Sequence, residues 1–132
     1  MSPPPIAWQS ADALLVCGYN NYGQLGLGNT TNQTAWQASA LPDGTRAKQV
    51  AGGFEHTAVL TEEGALLVCG ANNFGQLGLG TTTDQSAWQA SSLPGGLRVP
   101  AVACGWFHTI LHSTVPESRA ARARLPSRWA QL

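Results

Sequence analysis

Short apolar runs alternate along this chain with polar, glycine-rich stretches. None of the runs approaches the roughly 18 residues a membrane-spanning helix needs. Two of them, His56-Thr57-Ala58-Val59-Leu60 and Ala65-Leu66-Leu67-Val68-Cys69, flank Thr61-Glu62-Glu63-Gly64. Strand-sized segments on either side of a glycine-containing turn predict a β-hairpin. Further short strands are expected around Gln49-Val50-Ala51 and Ala101-Val102-Ala103.

The pattern repeats. Ala13–Gly18 returns as Ala65–Gly70, Gly23-Gln24-Leu25-Gly26-Leu27-Gly28 as Gly75-Gln76-Leu77-Gly78-Leu79-Gly80, Ala35-Trp36-Gln37-Ala38-Ser39 as Ala87-Trp88-Gln89-Ala90-Ser91, and His56-Thr57 as His108-Thr109. Every offset is 52, and residues 13–60 laid on 65–112 give 31 identities in 48 positions. Several short strands per repeat at a period near 50 predict an all-β partial β-propeller. The expected content is about two blades of four short antiparallel strands, with ragged ends. The chain divides into a Pro-rich segment with a partial hairpin strand (1–12), two repeats (13–64 and 65–112) and a basic tail expected to be disordered (113–132). Ile6-Ala7-Trp8 stands one period before Ala58-Val59-Leu60, whereas Glu117–Arg122, one period after Ala65–Gly70, has no strand character.

Val-Cys-Gly-x-Asn-Asn-(Tyr/Phe)-Gly-Gln-Leu-Gly-Leu-Gly, followed by Val-Ala-x-Gly-x-x-His-Thr, resembles the regulator of chromosome condensation repeat over residues 13–112. The resemblance implies blades of a seven-bladed β-propeller, so two repeats read as a fragment or truncated form of one. Cys17 and Cys69 stand where that family more often has Trp. Gly105-Trp106-Phe107-His108-Thr109 is similar to the Gly-Trp-Arg-His-Thr motif of a light-sensing member, with Phe107 in place of Arg. The sister copy, Gly53-Phe54-Glu55-His56-Thr57, has no Trp, so ordinary packing rather than light sensing accounts for Trp106.

The repeat also decides how its recurring residues are read. Gly18, Gly23, Gly26 and Gly28, with Gly70, Gly75, Gly78 and Gly80, match neither a dinucleotide fingerprint nor a P-loop. As repeat punctuation they supply positive φ and close packing. His56 and His108 recur once per unit, which a residue needed once for chemistry has no reason to do. They are expected to fix the turn into a strand by a side-chain hydrogen bond. Trp36 and Trp88 are expected to pack between neighbouring blades. No catalytic, cofactor-binding or metal-ligating residues are assigned, and no cofactor is expected. Cys17, Cys69 and Cys104 lack metal-ligand spacing.

Composition adds little beyond exclusions. Among 132 residues the formal net charge is zero and 11% are charged, which argues against a nucleic-acid or anionic-membrane binder acting with its whole surface. Arg119, Arg122, Arg124 and Arg128 leave the tail as the one segment suited to nucleic acid. The odd cysteine count and the absence of a basic, apolar leader in Met1–Ile6 point to an intracellular protein of cytoplasm or nucleus.

The expected function is that of a non-catalytic protein–protein interaction module. The polar loops Asn29–Thr34 and Thr81–Ser86 and the tips at Asp43-Gly44 and Gly95-Gly96 are its expected binding surfaces. The family resemblance implies an alternative, guanine-nucleotide exchange on a small GTPase, which would then be the partner. Open blade flanks further predict self-association.

Overall fold

In the computed structural model, described over residues 13–93 and 98–114, eight strands run antiparallel in three sheets. They are β1 (Ala13–Gly18), β2 (Gln33–Ala40), β3 (Ala47–Gly52), β4 (His56–Thr61), β5 (Leu66–Gly70), β6 (Gln85–Ser91), β7 (Arg98–Cys104) and β8 (Thr109–Thr114). A four-stranded sheet, β3-β4-β5-β6, lies between two-stranded sheets β1-β2 and β7-β8. The strands therefore amount to two blades, arranged as one complete blade flanked by two halves. The proline-rich start, the Gly95-Gly96 tip and the tail from residue 115 onward fall outside the described residues, while Ser113 and Thr114, expected to open the disordered tail, belong to β8.

The blade is out of phase with the sequence repeat. Strands β3 and β4 come from the first copy and β5 and β6 from the second, joined by the hairpin turn in which Gly64 takes φ 88°. Ladder pairs His56–Gly70, Ala58–Val68 and Leu60–Leu66 fix the β4–β5 register. Successive side chains on a strand point to opposite faces, so these two apolar strands feed two cores. Ala58, Leu60, Leu66 and Val68 pack with Leu77, Val99 and Val102 toward the β7-β8 sheet. Val59 and Leu67 pack the other way with Leu41, and with Leu14 and Trp88 at the margin. Burial on both faces explains why β4 and β5 read as continuous apolar runs instead of alternating with polar residues.

Neighbouring sheets are also joined by polar contacts. The Gln49 side chain of β3 accepts from Val102 N (3.2 Å) and donates to Val102 O (3.3 Å) of β7, its counterpart in the next unit. Thr57 Oγ1 donates to Gln24 O and Thr109 Oγ1 to Gln76 O, both at 2.6 Å. The same bond thus ties each glycine-rich loop to the following sheet.

Candidate protein-binding face

All eight repeat glycines adopt φ between 65° and 110°. Gly26 illustrates a second requirement. A Cβ there would stand 2.5 Å from the Trp88 indole, so the missing side chain admits the ring. Trp88 Nε1 donates to Ser39 Oγ at 2.9 Å, and Ser39 Oγ donates to Gly26 O at 2.9 Å. Trp88 consequently joins β6 to the β1-β2 sheet. Trp36, in the same sequence context, is 67% exposed and does not pack between blades as expected, because the described residues place no preceding sheet beside it.

The Gly-x-x-His turns have a clear construction. Gly53 N donates to His56 O (2.8 Å) and Gly105 N to His108 O (2.9 Å), closing the loop between paired strands. In each turn the imidazole folds against the glycine so closely that a Cβ would collide with it. His56 is buried, and its Nε2 lies 3.1 Å from Thr109 Oγ1 of the next sheet. His108 is exposed. Burial lowers the His56 pKa from its ordinary value, as expected when desolvation penalises the cation. With the ends pinned, the two middle residues of each turn project outward: Phe54 and Glu55 in one, Trp106 and Phe107 in the other.

A second turn type does the same. Gly23 N donates to Asn20 O and Gly75 N to Asn72 O, each at 3.0 Å. Gln24 Oε1 accepts from Tyr22 N and Gln76 Oε1 from Phe74 N, again at 3.0 Å. The buried Gln side chains hold the backbone while Tyr22 and Phe74 face outward.

These turns bring aromatic rings together on one face. Phe54 and Trp106 stack with centroids 5.2 Å apart, and Phe107 meets Phe74 edge-on at 5.1 Å and Phe54 at 6.1 Å. Phe54, Phe74, Trp106 and Phe107 are nonetheless 45–70% exposed. Tyr22 extends the face, and the nearby Glu55 carboxylate pushes its hydroxyl pKa above the ordinary value. Like rings packed edge and face contribute beyond their buried area, yet here most of their surface still meets solvent. Contiguous exposed apolar patches of this kind mark interaction sites.

The expected polar loops behave differently. Asn20, fully buried, donates from Nδ2 to Asn29 O and Thr31 O, while Asn32 Oδ1 accepts from its backbone N–H. Asn72 repeats this with Thr81 O, Thr83 O and Asp84 Oδ1. Much of the polarity of these loops is therefore used internally. The aromatic face is not legible as a local pattern, because its members are scattered between residues 22 and 107 and only Trp106 and Phe107 are adjacent. The Gly-x-x-His spacing was the available signal.

Cys69 is buried, and desolvation raises its pKa far above the ordinary thiol value, whereas Cys17 is exposed. Among the described residues, no three His, Cys, Asp or Glu side chains gather as a metal site, and no helix is long and apolar enough to cross a membrane.

Stacked sheets whose rigid turns present large side chains define a partial propeller. The chain belongs to the regulator of chromosome condensation (RCC1) repeat family, whose model matches residues 12–60 and 63–111. It is 45% identical over 93 residues to the ultraviolet-B receptor UVR8 of Arabidopsis thaliana, covering 70% of this chain and 21% of that protein. With the secretion-regulating guanine nucleotide exchange factor of Bos taurus it shares 41% over 115 residues, 84% of this chain and 25% of the relative. The crystal structure of yeast RCC1 (Prp20) bound to Kap60 superposes with TM-score 0.66 at 22% identity, covering 75% of this chain and 25% of that one. The chain thus spans between a fifth and a quarter of the length of these relatives.

Proposed function

We propose that this protein is a non-catalytic interaction module that binds a protein partner through the face built by Tyr22, Phe54, Phe74, Trp106 and Phe107. The observation that carries this reading is the stacked yet exposed Phe54–Trp106 pair, which bridges the turns of neighbouring sheets. Exposed aromatics on a rigid frame resemble the anchors that dominate protein interfaces, where large rings fill pockets with little loss of side-chain freedom. The partner it suits presents an apolar pocket rimmed by basic groups, which would meet Glu55. We place its work inside the cell, where free Cys17, Cys69 and Cys104 persist unpaired.

A second reading, guanine-nucleotide exchange on a small GTPase, draws support from the likeness to the bovine exchange factor. Two measurements separate the readings. Proximity labelling with the full chain and with Phe54→Ala/Trp106→Ala should yield partners lost specifically in the variant. Release of a fluorescent guanine nucleotide from a panel of small GTPases should stay at the spontaneous rate. Accelerated release would replace the first reading with the second, and a partner set indifferent to the substitutions would remove the aromatic face from it.

A further inference from the structure

The two half-blades are opposite halves. Shifted by one period, β1 and β2 coincide with β5 and β6, the last two strands of the complete blade, while β7 and β8 coincide with β3 and β4, its first two. Among the described residues, β8 has a ladder partner only in β7 and β1 only in β2. These edges are therefore equivalent to β4 and β5, which pair in the intact blade. We propose that β8 of one copy pairs with β1 of a second copy, so that two chains complete one blade.

The complete blade dictates the register. His56–Gly70, Thr57–Cys69, Ala58–Val68, Val59–Leu67 and Leu60–Leu66 are ladder pairs. One period along, they become His108–Gly18, Thr109–Cys17, Ile110–Val16, Leu111–Leu15 and His112–Leu14 across the junction. Leu15 and Ile110, now 67% and 60% exposed, take the places of Leu67 and Ala58, which are 7% and 0% exposed.

A second contact is built on both flanks. Within the chain, the Trp88 indole crosses Gly26 and donates to Ser39 Oγ. The corresponding receptor on the other flank is formed: Ser91 Oγ donates to Gly78 O at 2.9 Å, as Ser39 does to Gly26. A cleft of about 280 Å³ opens beside it, lined in part by Leu66, Gly78, Ser91, Leu93 and Leu111. The corresponding donor, Trp36, stands exposed on the opposite flank. In the paired arrangement, Trp36 of the second copy enters this cleft and donates to Ser91 Oγ.

A second copy fits better than either end of the same chain. The segment one period before β4 begins Pro4-Pro5, where His56 and Thr57 stand. Proline donates no N–H to a ladder, and neither residue supplies the Thr57 hydroxyl that holds Gln24 O. The segment one period after β5 is Ser118-Arg119-Ala120-Ala121-Arg122, which puts arginines where Leu67 and Gly70 are buried and only Ser and Ala where Leu66, Val68 and Cys69 fill the core. Because donor and receptor lie on different surfaces, the interface is heterologous and propagates.

Sedimentation of the full chain over an about hundredfold concentration range tests the proposal. The wild-type chain should associate beyond a monomer. Trp36→Ala should weaken association about tenfold or more while leaving the far-UV circular dichroism unchanged. Thr109→Cys in a Cys104→Ser background, which removes the thiol paired with it inside the chain, should on oxidation at an associating concentration give a disulfide to native Cys17 of another copy. Mass spectrometry of mixed heavy- and light-isotope chains identifies it as intermolecular, and Cys17→Ser should abolish it. A chain monomeric throughout overturns the proposal. So does association that survives Trp36→Ala without the cross-link, or a Cys17 disulfide confined to single chains.

Discussion

His56 carries the chemistry of one side chain into the joint between two sheets. Thr109 Oγ1 donates its own proton to Gln76 O at 2.6 Å, so at the 3.1 Å contact His56 Nε2 must be the donor. That assigns the proton to Nε2 and leaves Nδ1 a bare lone pair, buried without a hydrogen-bond partner. Protonating Nδ1 would bury a charge, which is why desolvation lowers the pKa. In the unfolded chain the ring regains its ordinary value near 6.5. Above that value both states are neutral and the stability is fully present. As pH falls below it, the unfolded state takes up the proton first and stability declines. The thermal midpoint should therefore drop between pH 7.5 and 5.5, and His56→Gln should flatten that drop. An unchanged slope in the variant would show that other groups set the acid sensitivity.

At the scale of elements, Asn72 organises the connection between β5 and β6. Its Oδ1 accepts from Leu77 N at 3.0 Å, and its Nδ2 donates to Thr81 O and Thr83 O. Asn72→Ala strands one buried N–H and two carbonyls. It should cost about 3 kcal/mol, read as a lower urea midpoint at constant slope; a loss below about 0.5 kcal/mol would mean that water replaces all three bonds. The β4–β5 hairpin was legible because two apolar runs and a glycine turn are local signals, and β3 and β7 were legible from their short apolar cores. The phase of the blade was not, since a 52-residue period looks the same wherever the unit is begun. Loop polarity misled for a related reason: composition records that Thr81 and Thr83 are polar but not that Asn72 already uses their carbonyls. Trp36 and Trp88 share a context in sequence and differ in burial, because the sheet that covers one of them is supplied by tertiary structure.

For the whole molecule, two interaction surfaces follow from different parts of the same repeat. The aromatic face stands on turns at the ends of strands, where the pinned glycine and histidine project the residues between them. The self-pairing edges run along β1 and β8, with Trp36 and the Ser91 cleft beside them. Phe74 and Phe107 line both the face and the mouth of that cleft, so substituting them would disturb both surfaces. Phe54 and Trp106 belong to the face alone. Their stacking should contribute only about 1 kcal/mol to stability, so Phe54→Ala/Trp106→Ala should remain folded. The two surfaces should consequently separate. The double variant should lose its protein partner and sediment as the wild type does, whereas Trp36→Ala should sediment as a smaller species and keep the partner. Loss of partner in both variants would mean that the face is complete only in the assembled state. The partner would then contact the neighbouring copy as well as the cluster that one chain builds.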